Sequence, residues 1–472
     1  MITVIINYQF SIINSLRTQL VSPAQTLLLT QEECAKYHAY LNGDNMPFDL
    51  GASVIAGSIG MRTELLERAV MIAEIFRRVC AAFHESFGVQ KELRNVLLKP
   101  FDALPSVRSS ILTAPFCLTY FRMDFFLDQN DSNAPLKIME VNSGGAGLTD
   151  YLRCIRYLRN VHKFGAPKGY STIDVPDMLR SLLSYGRKHS PFRTLGLVGV
   201  ENGRSDSLIE YEEYAQWLKE NTDIEPVLLA LTDGELSLLD HPKFPSPINN
   251  LAGLDAIYFD WFENLPALEK VTKKLMELGI ATIPARSDLL FEQKRFLASL
   301  RTCERPAEIA ADDWRLLQEA ILPSFPLEEF TEHLEEMEEW PGIVLKMDLD
   351  CASENVFIYD FQKTSFEEAL AALEHTLTHG HPTSLPPYSL TFKPTWSLQQ
   401  FIPPPHLQLS APTPSWIGYD YAPYKFDLMT YLCYEEETPR VLFGSRCFSR
   451  EKYDELTEEG IRDALWGPVS TL

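Results

Sequence analysis

Between residues 191 and 290 the apolar pattern changes period repeatedly, and that alternation leaves few folds open. The run TLGLVGV, Thr194 to Val200, is short and unbroken, the pattern of a strand buried on both faces. ENGRSD follows as a turn, SLIEYEEYAQWLKEN as a helix and EPVLLAL as the next strand; LDAIYFD, ALEKVTKKLMELG and IATIPA then repeat strand, helix, strand. Such an order closes as a parallel sheet covered by its crossover helices, so a parallel-sheet lobe is predicted over about 191–290. Ligands of parallel sheets sit at strand-to-helix turns. That singles out Glu201-Asn202-Gly203-Arg204, with Arg204 as the candidate for holding a substrate carboxylate.

Upstream, TELLERAVMIAEIFRRVCAAFHESFGVQ predicts a helix over 63–90. Two alternating runs, Phe121 to Leu127 and Leu136 to Val141, then flank the turn-rich Asp128 to Pro135 and read as a hairpin. Arg122 and Asp124 share one face of it, and Glu140 and Asn142 share one face of the partner strand. Four polar groups thus converge where a core would take apolar ones. Behind them Ser143-Gly144-Gly145-Ala146-Gly147 leads into a helix over 148–161 and offers backbone N–H groups to an anion.

Magnesium on nucleotide phosphates takes hard oxygen donors, usually one or two carboxylates with phosphate oxygens and water. Asp124, Glu140 and Asn142 are of that type, and Arg122 brings a planar fork suited to a phosphoryl or carboxylate group. The bland alternative is a solvated hairpin face whose charges pair with one another over a tight glycine turn.

In this order the residues resemble the ATP-grasp ligases. RMDFF and LKIMEVNSGGAGL are similar to the R-x-D-F and E-x-N with glycine turn of D-alanine ligases, glutathione synthetases and their relatives. In most of that superfamily the motif closes the chain. Here it comes early, as in the circularly permuted branch of eukaryotic-type glutathione synthetase and glutathionylspermidine synthetase. The resemblance implies an α/β protein with α+β lobes: a circularly permuted ATP-grasp fold with an inserted parallel-sheet substrate domain. Residues 1–190 would be the N-terminal ATP-grasp portion, 191–290 the Rossmann-like insert and 291–472 the nucleotide-binding portion.

The remaining third carries predicted helices at 291–301 and 326–338 and strands at 342–347, 354–360 and 396–402. IVLKMDLDCASEN looks like the family's V-L-K-P-x-x-E-G-G-G-x-N, which implies Lys346 as a phosphate-binding lysine, Asp350 as a metal ligand and Asn355 as the loop asparagine. Cys351-Ala352-Ser353 departs from the glycine run, and Asp350 is a methylene shorter than the family's glutamate. DLLFEQKRFL resembles the segment with a second phosphate-binding lysine, implying Lys294; taken alone, Lys294-Arg295 on an amphipathic helix reads as a solvated face. WSLQQFI looks like the hinge beside adenine, where backbone groups of Gln400, Phe401 and Ile402 would meet the base. KFDLMTYL and PRVLFGSRCFS are similar to paired strands bearing an acid and a base, which implies Asp427 on the substrate and Arg446 in catalysis; the bland reading is a structural ion pair.

The implied activity is ATP-dependent joining of a small-molecule carboxylate to an amine through an acyl phosphate, with ATP and Mg2+ required. Arg122 and Arg446 would serve catalysis, Ser143, Gly144 and Gly145 the acyl group. Because the nucleotide loop departs from the family, a noncatalytic ATP- or peptide-binding homologue acting as sensor or scaffold stays open, as does a phosphotransferase acting on a hydroxyl. Other chemistries find no motif: G-x-x-x-x-G-K-[ST], H-E-x-x-H and G-x-S-x-G are all absent.

Charge narrows the partners. With 42 Lys and Arg against 65 Asp and Glu, the formal net charge of −23 opposes nonspecific binding to nucleic acid or an anionic membrane. No run approaches the roughly 20 apolar residues that cross a bilayer, and MITVIINYQFSIINSL lacks the early basic region of a signal peptide. Eight scattered cysteines without C-x-x-C spacing fit a reducing cytosol, so a cytoplasmic location is expected. A homodimer is compatible with the sequence and not fixed by it.

Overall fold

A computed structural model describes residues 26–28, 57–86, 91–127, 136–143, 167–189, 191–201, 203, 208–258, 265–349, 356–379, 394–402, 406–412, 419–435, 439–449 and 465–471. Among these residues the strands form three sheets. The largest has ten strands, and its main path runs Thr26–Leu28, Gly57–Met61, Leu465–Thr471, Arg440–Ser449, Leu428–Cys433, Tyr120–Leu127, Leu136–Ser143. The predicted early hairpin is present, and Tyr120–Leu127 pairs antiparallel on its other side with the late strand Leu428–Cys433.

Alternation along Tyr120–Leu127 decides which side chains enter the core. Phe121, Met123 and Phe125 are fully buried in the cluster that includes Phe76, Val79 and Phe83 of helix Thr63–Ser86. Phe76 lies 6.4 Å from Phe121 and 5.7 Å from Phe296, ring centre to ring centre, and Phe296 lies 5.2 Å from Phe291. These contacts clamp the 289–300 segment beside the hairpin and leave Arg122 and Asp124 on the opposite face.

That segment is not the single helix expected over 291–301. Helices Leu289–Glu292 and Lys294–Leu300 meet at Gln293, whose backbone is extended at φ −63° and ψ 140°. The Gln293 amide is buried and its Nε2 donates to Leu97 O and Leu290 O, each at 3.0 Å, so the break is braced by hydrogen bonds. The 326–338 segment likewise starts as a tight 3-10 stretch, Leu327–Glu332, before helix Leu334–Glu338.

A four-stranded antiparallel sheet, in the order Ser324–Pro326, Trp396–Gln400, Gly342–Met347, Val356–Asp360, carries the segments resembling the nucleotide-binding motifs. The strand expected over 396–402 ends at Gln400. The five-stranded sheet runs Ala281–Ile283, Ala256–Tyr258, Thr194–Glu201, Glu225–Thr232, Glu235–Leu238. The first four strands are parallel, as the alternation requires, but the last pairs antiparallel with Glu225–Thr232. Asp233-Gly234 turns the chain back at φ 49° and 77°, the left-handed pair of a two-residue hairpin. A Cβ on Gly234 would also stand 3.0 Å from Ala267 Cα, so glycine is required there twice over. The helix expected over 148–161 lies outside the described residues. No described helix is long and apolar enough to cross a membrane.

Candidate active site

The hairpin register sets Asp124 opposite Glu140 and Arg122 opposite Asn142. Arg122 forks onto Asp124, Nε donating to Oδ1 at 2.8 Å and Nη2 to Oδ2 at 3.0 Å, and its Nη2 is 3.7 Å from Glu140 Oε1. The Tyr431 ring centre lies 5.9 Å from the guanidinium carbon. Burial by itself would lower the Arg122 pKa, but Asp124, Tyr431 and Glu140 raise it, so the guanidinium stays charged although only 9% exposed. Asp124 is fully buried and fixes the plane in which Arg122 is presented.

Two lysines arrive from segments that follow the five-stranded sheet in sequence. Lys294 Nζ is 3.4 Å from Glu140 Oε2. Lys346, 6% exposed, donates through Nζ to Gln399 Oε1 at 2.7 Å and to Met139 O at 3.0 Å. The strand Leu136–Ser143 therefore receives Arg122 and Lys294 at the Glu140 carboxylate and Lys346 at the neighbouring Met139 carbonyl. At the expected adenine hinge, the Gln400 N–H donates to Pro323 O at 2.7 Å and the Phe401 N–H to Gly342 O at 2.9 Å. Both N–H donors are thus used within the sheet region, so any contact of these two residues with a base would fall to their carbonyls. Ile402 is buried.

Asp427 is fully buried. Met429 pairs with Gly444 and Phe426 with Cys447, so the register sets Asp427 opposite Arg446 in the backbone ladder. The two residues taken from the late paired strands are therefore opposite one another in the ladder, and Leu428, next to Asp427, pairs with Phe125 of the hairpin. Ser143 is held by Glu292: its N–H and Oγ both donate to Oε2, at 3.1 and 2.6 Å. Burial raises the Glu292 pKa, and the Ser143 bonds, Lys294 and Arg286 pull it back only in part. Asp350, Asn355, Gly144, Gly145 and Arg204 lie outside the described residues.

Arg295 overturns the reading of Lys294-Arg295 as a solvated face, for it is 1% exposed. Its Nε donates to Asp348 Oδ2 at 2.8 Å, and Nη1 and Nη2 donate to Glu328 at 2.7 and 3.1 Å. Ser397 Oγ donates to the other oxygen of Asp348, and Lys99 pairs with Glu328. This network ties the broken helix to the four-stranded sheet and so fixes Lys294 beside Glu140. Alternation hinted at part of it: Lys346-Met347-Asp348 repeats the spacing of Arg122-Met123-Asp124, with the acid two residues from the cation. Gln399 could be read only with its strand partner known.

The Glu328 carboxyl is raised by burial but drawn down to about 2 by Arg295 and Lys99. Its folded pKa lies below the ordinary value, so its stabilising contribution is full above about pH 4.5 and is lost as pH falls toward about 2. Melting temperature is expected to drop more steeply on acidification across that range in the native protein than in Glu328→Gln. Equal slopes would show that the ion pair contributes nothing.

Among the described residues no three His, Cys, Asp or Glu gather as a metal site. Asp124 and Glu140 nonetheless supply two carboxylates from paired strands, and Asn142 Nδ2 is buried with no hydrogen-bond partner. Because an amide can turn to exchange its two ends, that position can also present Oδ1. This donor set of oxygens fits a hard cation such as Mg2+.

Comparison of the whole fold decides its type. The solved structure of a glutathione synthetase-like effector from Globodera pallida, in apo form, superimposes with a TM-score of 0.54 at 14% identity, covering 95% of this chain and 100% of that one. The chain has an ATP-grasp-like fold. Lower likenesses link it to a putative gamma-glutamylcysteine synthetase from Methylobacillus flagellatus KT (TM-score 0.35, 10% identity, 79% of this chain and 82% of that one). A RimK domain ATP-grasp protein from Sphaerobacter thermophilus is similar over 52% of this chain and 88% of its own, at TM-score 0.26 and 15% identity. No family model and no curated protein matches the chain. Within the ATP-grasp-like fold the R-x-D and E-x-N residues lie on neighbouring strands of the large sheet, and Lys346 lies on the four-stranded one.

Proposed function

We propose that the protein is an ATP-dependent carboxylate–amine ligase. The observation that supports this reading is the meeting of Lys294 and Lys346 with the Glu140 strand, 3.4 Å from Glu140 Oε2 and 3.0 Å from Met139 O. These are the lysines that the resemblance assigns to nucleotide phosphates, and distant sequence segments bring them to the metal motif. Lys294 and Lys346 would hold the phosphates of ATP, and Arg122, oriented by Asp124, would face the transferring phosphoryl group. In-line attack of the substrate carboxylate on the γ-phosphate gives an acyl phosphate and ADP; attack of an amine on the acyl carbon expels phosphate and forms the amide. Glu140 and Asn142, with Asp124 behind them, would hold Mg2+, which when bound neutralises charge on the phosphates. We place the nucleotide portion at 291–472 and the acceptor amine toward the 191–290 lobe, with Arg204, Asp427 and Arg446 near the substrates.

The test is ADP release by purified protein supplied with Mg-ATP and pooled amino acids, dipeptides or polyamines. Release that depends on one pool, with an amide in its mass spectrum, is the expected result. The second reading, a noncatalytic nucleotide binder, is favoured by Cys351-Ala352-Ser353 in place of a glycine run. Tight Mg-ATP binding with silence in every pool would choose it, and a phosphate ester as product would instead indicate a phosphotransferase.

A further inference from the structure

The helix Phe366–His379 lies against the four-stranded sheet, Leu373 being buried in one cluster with Leu345 and Leu398 of that sheet. Its outer face is exposed and carries His375 and His379, one helical turn apart. Their rings stack, 4.8 Å from centre to centre with planes 28° apart. Thr378 decides which nitrogen of His379 is bare. A hydroxyl has one proton, and that of Thr378 goes to the backbone: Oγ1 donates to Glu374 O at 2.9 Å, with His375 O at 3.1 Å. The same oxygen lies 2.6 Å from His379 Nδ1, and since its proton is already committed, the ring nitrogen is the donor there. In the neutral ring Nδ1 then carries the hydrogen and Nε2 keeps its lone pair. That is the arrangement of a metal-binding histidine, whose other nitrogen is hydrogen-bonded so that tautomer and ring orientation are fixed. The i, i+4 separation on one helix face is also the spacing at which two imidazoles reach one metal ion.

We propose that His375 and His379 together bind a divalent transition cation such as Zn2+, with Thr378 as the positioning residue that directs His379 Nε2 to the ion. Imidazole suits Zn2+, Cu2+ and Ni2+, whereas Mg2+ takes oxygen donors, so this site is separate from the carboxylates of the hairpin and does not rest on the proposed function. Two protein donors leave the remaining coordination positions to water, and the carbonyl end of the helix favours a positive charge. Bridging two successive turns, the ion holds the end of a helix that packs on the sheet carrying Lys346.

Calorimetric titration with Zn2+ on the chelator-treated full chain, without nucleotide or Mg2+, tests it beside His375→Ala, His379→Ala, Thr378→Val and Thr378→Ser. The native protein is expected to bind one more Zn2+ ion than either alanine variant. Thr378→Val should weaken that ion's binding about tenfold, and Thr378→Ser, which keeps the hydroxyl, should hold it at native affinity. Both histidines are exposed and alanine is the best helix former, so the variants should fold, which matching circular dichroism spectra check. The same number of Zn2+ ions at the same affinities in the native protein and both alanine variants would overturn the site, the metal then sitting on thiols or carboxylates elsewhere. Loss of the ion in the alanine variants with Thr378→Val unchanged would overturn the role given to Thr378.

Discussion

Replacing Glu140 and Asn142 together by alanine is expected to abolish magnesium-dependent ATP binding and to cut substrate-dependent ADP release by at least about 100-fold. The fold should survive the change. Arg122 keeps its two bonds to Asp124, at 2.8 and 3.0 Å, so that guanidinium is not orphaned when Glu140 is lost. The Glu140 side chain is 15% exposed, and its partners Arg122 and Lys294 are each 10% exposed at the side chain, within reach of solvent. What disappears is the carboxylate between Arg122 and Lys294, and with it the proposed hold on the cation. Circular dichroism melts that match the native protein, beside isothermal titration with Mg-ATP, separate a lost site from a lost fold. Turnover within about threefold of the native rate would move the metal site elsewhere.

The second large effect should fall on stability. Asp348→Ala leaves Arg295, 1% exposed, without the acceptor of its Nε proton, and breaking one partner of a buried pair costs about 3–5 kcal/mol. Ser397 loses its acceptor as well. Denaturant unfolding is expected to show a loss of that size. A paired change, Arg295→Met with Asp348→Leu, removes both buried charges at once and should recover most of it, because Glu328 is 32% exposed at the side chain and can be solvated. A loss below about 1 kcal/mol in Asp348→Ala would mean that water reaches Arg295. Since the same network positions Lys294, nucleotide affinity should fall in the single variant before the protein unfolds.

Much of this architecture could be read residue by residue. Strand periodicity is local: it sets Arg122 with Asp124 and Glu140 with Asn142 on shared faces whatever the rest of the chain does, and the hairpin register agrees. The strand–helix alternation after residue 191 likewise gave four parallel strands, while the Asp233-Gly234 turn signal, present in the sequence, accounts for the antiparallel fifth. Helix exposure is a different matter. Lys294-Arg295 looks solvated on its own helix, yet Arg295 is buried because Asp348 and Glu328 come from elsewhere to receive it. Neither the break at Gln293 nor the hold of Glu292 on Ser143 can be read from the local sequence; each goes with a 289–300 segment packed through Phe291 and Phe296 onto Phe76 of helix Thr63–Ser86. The sequence by itself determined which groups face which side of each strand, because that follows from backbone geometry over two residues. Only the tertiary structure decided which charges meet, because burial and pairing depend on chain segments far apart in sequence arriving at the same place.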